Sequence, residues 1–196
     1  MNLMPFDELN TFTEMVQEYK TAPLTLSEKE RLRDDIEDYI EFLLIEAYTY
    51  GSVQAMDDLG LLERDQNDLI DRDEMFREIY KPIAGKTFQD RVREYLDEDS
   101  STTFDFQRVA ETDTTRVYNA GVVDTGKNSG VPGVMKRWVT MDDDRVRDTH
   151  EYLNGMIVPL NTDFYSYDGD HARAPGLFSD PANNCNCRCT LQLIRE

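Results

Sequence analysis

Cys185, Cys187 and Cys189 stand within five residues of one another, and His150 precedes them. Thiolates and imidazole are the ligands that Zn²⁺ takes in a tetrahedral set of four. His150, Cys187, Cys189 and Cys185 therefore make a candidate zinc site, with His171 as the other option for the fourth place. The spacing C-x-C-x-C lacks the two-residue gap of common zinc motifs. Chelation requires Cys187 and Cys189 to point one way, on an extended chain or in a turn. The competing reading is three reduced cysteines packed as small hydrophobes, with His150 hydrogen-bonded to a carbonyl or carboxylate. An odd, clustered number of cysteines is not a disulfide framework and suits a reducing compartment such as a bacterial cytoplasm. No other cofactor is expected.

The segment Asp144-Arg145-Val146-Arg147-Asp148-Thr149-His150 offers a second kind of chemistry. On a helix, Asp144, Arg147, Asp148 and Glu151 recur at three- and four-residue spacing, and Arg147 and His150 share a face. With Glu111 they would form a general acid–base set. The alternative is an ion-paired surface helix in which Arg145 or Arg147 holds Asp180 by bidentate hydrogen bonds. Asp163, Asp168 and Asp170 look like a fragment of a calcium loop, but the terminal Glu of that pattern is missing. They read instead as an Asx-turn loop, anchored to the core by Phe164, Tyr165 and Tyr167. Trp138, the single tryptophan, reads as a buried strand aromatic.

The elements that must position these residues fall into two groups. Pro5 to Lys20 spaces Phe6, Leu9, Phe12, Met15, Val16 and Tyr19 as an amphipathic helix. Ser27 with Glu30 reads as a capping box that opens a second helix running to about Tyr50, where Gly51 ends or bends it. Shorter helices are expected over Asp71–Tyr80 and, capped by Thr87 with Asp90, over Phe88–Asp97. The polar stretch Asp97–Ser101 is the expected boundary. Beyond it come a long helix over Thr103–Val123, a loop over Asp124–Gly133 and a strand over Val134–Thr140. A short helix over Asp142–Asn154 ends before Gly155. A strand over Met156–Leu160, a loop-rich stretch and a last strand over Cys187–Ile194 complete the chain. The expected fold class is α+β: a helical, acidic N-terminal half (1–99) and a small α+β C-terminal domain (100–196) with a short β-sheet.

Charge narrows the function classes. The chain has 196 residues, 21 basic and 40 acidic side chains, and a formal net charge of −19. Residues 1–99 hold 11 basic and 26 acidic side chains, against 10 and 14 in residues 100–196. Such a surface repels a phosphate backbone, so general nucleic-acid binding is disfavoured and a partner with basic patches is favoured. Asp34, Asp35, Glu37, Asp38 and Glu41 crowd one helix and offer either a solvated face or an acidic docking surface. No apolar run approaches the roughly 18 residues of a membrane span. The first 20 residues lack the basic start of a secretory signal.

Three blocks occur in a suggestive order. The first holds Arg108, Ala110, Glu111, Thr112 and Asn119. The second holds Lys136, Trp138, Asp144, Arg145, Val146, Arg147, His150 and Gly155. The third holds Phe164, Pro175, Asp180, Pro181, Asn186, Cys187, Arg188 and Cys189. Together they resemble the phage head morphogenesis domain of the phage Mu F-like minor head protein family, from about Ser101 to the C-terminus. The first block departs in its Thr-Glu order, and Cys185 is an addition. The resemblance implies a non-enzymatic minor head protein of a tailed double-stranded DNA phage or prophage. It implies association with the portal protein, and with scaffold or major capsid protein, at the portal vertex inside the procapsid. It also implies support of head morphogenesis and of DNA packaging or delivery. The location implied is the head interior of the virion, reached from the host cytoplasm during assembly. The alternatives are an ADP-ribosyl-type or metal-dependent enzyme using Arg108, Glu111 and His150, and a zinc-stabilised interaction module.

Overall fold

The computed structural model describes residues 6–195. Helix α1 (Phe6–Thr21) buries Leu9, Phe12, Val16 and Tyr19, the stripe its spacing predicts. The expected start at Pro5 lies outside the described residues. Helix α2 (Leu26–Asp58) is 33 residues long. Its N-terminal box is Thr25 with Glu28, not Ser27 with Glu30. The Glu28 amide donates to Thr25 Oγ1, and the Thr25 amide donates to the Glu28 carboxylate at 2.8 Å. Ser27 lies inside the first turn, so the reciprocal pair forms two residues earlier than expected.

Gly51 does not end α2, which continues to Asp58. A Cβ there would lie 2.0 Å from the Tyr118 carbonyl oxygen, and one at Gly121 would lie 2.3 Å from that of Tyr48. The two glycines let the backbones of α2 and α5 (Thr103–Asn128) touch. Between these helices come α3 (Arg72–Ile79), capped by Asp71, and α4 (Phe88–Asp97), capped by the expected Thr87–Asp90 box. Helix α5 runs five residues past its expected end at Val123. Asp124 is buried against Lys127 and Tyr48, and Gly126 packs on Leu160 and Leu193, so the first half of the expected loop is helix.

The C-terminal part is a three-stranded antiparallel sheet in the order β2-β1-β5, with a separate two-stranded pair. Strand β1 (Val134–Val139) pairs with β2 (Ile157–Pro159) through Lys136 opposite Val158, and with β5 (Thr190–Arg195) through Trp138 opposite Leu191. The pair is β3 (Phe164–Tyr165) with β4 (His171–Ala172). The expected helix over Asp142–Asn154 shrinks to one turn, α6 (Asp148–Glu151). Asp142 takes a left-handed φ of 53°, which breaks the helical path. The three- and four-residue face of Asp144, Arg147, Asp148 and Glu151 therefore does not form. A further turn, α7 (Pro181–Asn184), is capped by Asp180, with Pro181 at its first position. The last strand begins at Thr190, so Cys187 and Cys189 lie before it. Phe164 is buried, whereas Tyr165 and Tyr167 are exposed and do not anchor their loop.

Two apolar clusters hold these layers. One joins α1, α3 and α4 to α2 up to Tyr48 and to α5 from Phe106 to Ala120. The other joins the end of α2 and the later part of α5 to Trp138, Phe164, Phe178, Cys187, Cys189 and Leu191. Helices α2 and α5 contribute to both, so helical packing is continuous past Ser101. Among the described residues no helix is long and apolar enough to cross a membrane.

Candidate functional site

The residues singled out in the sequence separate into three places. The first is a buried sulfur and imidazole cluster. Helical turn α6 brings His150 against the turn that leads into β5. Asn186, at a left-handed φ of 55°, reverses the chain between Cys185 and Cys187. Asparagine tolerates that conformation better than most residues. The turn points Cys187 and Cys189 at the same ring nitrogen, with Sγ to His150 Nδ1 distances of 3.7 and 3.5 Å. All three side chains are buried. His150 is stacked on Phe178 and meets the edge of Trp138, which fixes the ring. His150 Nε2 has no hydrogen-bond partner. Contact with Cys189 holds the Cys187 thiol well below its usual value, with His150 adding to the effect. Cys189 is pushed up by the contact with Cys187 and by burial. Cys185 stands outside this cluster, as does His171, which pairs with Asp163 at 2.8 Å.

The second place is an open pocket of about 380 Å³. Arg108 and Glu111 on α5 face Arg145, Arg147 and Arg188 across it, with Phe104 at its edge. Four arginines thus converge on a chain whose net charge is strongly negative. His150 does not line this pocket, so Arg108, Glu111 and His150 do not meet in one open site. The expected tie between Arg145 or Arg147 and Asp180 is absent. Arg147 donates to the Cys185 carbonyl, and Asp180 accepts from the Ala182 amide. The bidentate pair is instead Arg188 with Asp143, at 2.8 and 2.7 Å. That contact holds the Asp143 carboxyl below its usual value. Thr112 Oγ1 accepts from the Asn186 amide, which ties the cysteine turn to α5. Asp144 is exposed.

The third place is structural. Asn119 Nδ2 donates to the Cys189 carbonyl and its Oδ1 accepts from the Leu191 amide, docking β5 on α5. Lys136 is fully buried; its ammonium donates to the Arg173 carbonyl at 2.5 Å and lies over the Phe164 ring. Burial lowers its pKa to about 8 although Asp163 opposes the shift. Trp138 is fully buried, as expected. Gly155 takes a positive φ just past α6. Asp170 gathers the amides of His171 and Asp180 and the side chains of Ser179 and Asn183, the Asx-type loop the sequence suggests.

Sequence reasoning missed several of these partners. Asp143 lies beside the expected motif in a run of three aspartates, but only the fold shows which one faces Arg188. Asn184, whose side chain bonds both the amide and the carbonyl of Phe178, follows the Asp-Pro signal and carried no other mark. Glu78, Asp113, Arg116 and Arg173 form a buried ion network joining α3, α5 and the loop after β4.

The minor head protein GP7 of Bacillus phage SPP1 is 32% identical over 83 residues, covering 42% of this chain and 27% of that protein. A second relative, the NAD(+)--arginine ADP-ribosyltransferase EFV of Enterococcus faecalis, is 26% identical over 127 residues, covering 61% of this chain and 26% of that protein. The chain spans about a quarter of the length of these curated relatives. No solved structure matches. The family model described as Phage Mu protein F like protein matches residues 70–192. It starts ahead of Ser101 and takes in α3, which the ion network fastens to α5, and α4, whose Arg91 pairs with Asp113 at 2.5 Å. With more than half of its length so matched, and the three motif blocks folded into one unit, this chain belongs to the Phage Mu protein F like family.

Proposed function

We propose that this chain is a minor head component of a tailed double-stranded DNA phage or prophage, acting in head morphogenesis. The observation that carries the reading is the family match over residues 70–192, joined by the 32% identity to a phage minor head protein. In this reading the protein joins the procapsid at the portal vertex, working from the host cytoplasm, and stays in the head interior. There it supports DNA packaging or delivery. The acidic helices favour such docking physically. Asp34, Asp35 and Asp38 are exposed on α2, and a basic belt on a portal ring would attract them from a distance and orient the encounter. Scaffold and major capsid protein are the other candidate partners.

The test is co-expression with the portal protein encoded by the neighbouring gene, followed by affinity co-purification and mass measurement. A complex of defined small stoichiometry that weakens as salt rises is the expected result. No complex in either low or moderate salt overturns portal association.

A catalytic reading has one specific support. Arg108 and Glu111 line the open pocket, and one relative is named as an ADP-ribosyltransferase. The non-enzymatic reading is favoured because His150, the acid–base candidate, is buried against two sulfurs away from that pocket. Incubation with labelled NAD⁺ and an arginine-rich acceptor is expected to give no transfer. Transfer that is lost in Glu111→Gln would replace the non-enzymatic reading with the catalytic one.

A further inference from the structure

The buried cluster has the dimensions of a chelate. Zn²⁺ binds thiolate sulfur at about 2.3 Å and imidazole nitrogen at about 2.0–2.1 Å with tetrahedral angles, which sets a sulfur-to-nitrogen edge of about 3.6 Å. The observed edges from His150 Nδ1 are 3.7 Å to Cys187 and 3.5 Å to Cys189, and the three ligand atoms all lie within 4.8 Å of one another.

Hydrogen bonding accounts for this arrangement poorly. A ring nitrogen has one lone pair and accepts from one thiol, yet two sulfurs face it. Charge agrees with a metal. Two thiolates, one neutral imidazole and Zn²⁺ sum to zero, which suits a site whose three ligand side chains are buried. Binding sends both thiol protons to solvent and involves no oxidation or reduction.

The fourth position is also legible. A cavity of about 10 Å³ touches His150, Cys187 and Cys189, with Met141 and Arg147 also in its lining. That volume is about what one water needs. Cys185 is not available for this place. It lines a different pocket with Pro181 and Asn184, on the other side of the Asn186 reversal.

We propose that this chain binds one Zn²⁺ through His150 Nδ1, Cys187 Sγ and Cys189 Sγ, with a water in the fourth position. The ion staples the α6 turn to the chain entering β5, across 37 residues of sequence from His150 to Cys187. It closes the loop-rich region at a point where no strand ladder does so. The inference does not depend on the head assignment, since it rests on ligand geometry alone.

The experiment uses the full chain purified from zinc-supplemented medium, with metal content measured by mass spectrometry and Co²⁺ substitution followed by absorption. Near-equimolar zinc is expected. A sulfur-to-cobalt charge-transfer band with intense tetrahedral d–d absorption is also expected. Loss of outer-shell partners alone weakens metal sites about 10–100-fold, so His150→Ala, Cys187→Ser and Cys189→Ser should each weaken retention at least about tenfold. Cys185→Ser should retain the metal as the wild type does. Wild-type protein that stays metal-free and gives no thiolate–cobalt band overturns the proposal, whatever the variants do. Loss of metal in Cys185→Ser equal to that in Cys187→Ser overturns the ligand set. A metal other than zinc at these ligands overturns the zinc assignment.

Discussion

The two apolar clusters of this protein are assembled by different means. The cluster of α1 to α4 is built from side chains at helical spacing. Among the described residues, the buried polar or charged positions before Asp113 are Ser52 and Glu78. From Asp113 onward, buried polar residues are frequent, and several act as single pins on the backbone. Asn119 holds β5, Lys136 holds the Arg173 carbonyl, and Asn184 holds both sides of Phe178. A helix satisfies its own backbone groups and needs only a face to bury. A loop-rich unit must find a partner for each buried amide and carbonyl, and one side chain often supplies it. The helical region therefore spreads its stability over many contacts, and the C-terminal region concentrates it in few.

The α2–α5 crossing is where that contrast should break. A side chain at Gly51 meets the backbone of Tyr118, which cannot move away as a side chain would. Gly51→Val is expected to destabilise by more than about 4 kcal/mol, or to leave no soluble folded protein. Thermal melting of Gly51→Val close to wild type would mean that the helices are farther apart than the structure has them. The contrast itself is sharpened by Asn119→Ala, which orphans the Cys189 carbonyl and the Leu191 amide. At about 1–3 kcal/mol for each buried group, a loss of about 2–6 kcal/mol is expected in denaturant unfolding. Hydrogen exchange should show β5 amides losing protection before those of α1 and α2. Equal loss throughout would make the chain one cooperative unit.

Smaller effects are expected at the helix caps. Thr25→Ala should cost about 1 kcal/mol, because it removes the reciprocal pair with Glu28. Ser27→Ala should stay within about 0.5 kcal/mol. The reverse ranking would return the capping box to Ser27. The smallest effect is recognised by its pH dependence. Burial alone would raise the Asp170 carboxyl, but its hydrogen-bond donors hold it down at about 2, below the ordinary 3.8. Its contribution is thus present above pH ~4 and is lost as pH falls from about 4 to 2. Asp170→Asn should lower stability at neutral pH by what the carboxylate contributes, and flatten the fall in stability between pH ~4 and pH ~2. An unaltered acid transition in the variant would show that the Asp170 network does not hold the loop.

Legibility followed the range of the interaction. The Thr87 box and the Asp71 cap act within one helical turn, so α3 and α4 were readable almost to the residue. The box at Thr25 was misplaced by two residues because Ser27 and Glu30 repeat the same pattern, and only hydrogen bonding chooses between them. Gly51 reads locally as a helix breaker. It stays helical because Gly121, 70 positions later in the chain, presses α5 against it. The run from Asp142 to Asp144 has good helical periodicity, yet Asp143 turns away to Arg188, 45 residues distant.

What the sequence by itself determined was the inventory: an acidic helical half, a small α+β unit, a buried Trp138, and three motif blocks whose order marks the family. These depend on composition, period and spacing, which are properties of a linear chain. Only the tertiary structure decided that Cys187 and Cys189 share one ring nitrogen while Cys185 does not. It alone separated His150 from Arg108 and Glu111. Direction is the physical reason. A cysteine's position in the chain leaves its side chain free to face either way until Asn186 turns the backbone, Thr112 and Asn119 hold that turn to α5, and the core fixes the His150 ring.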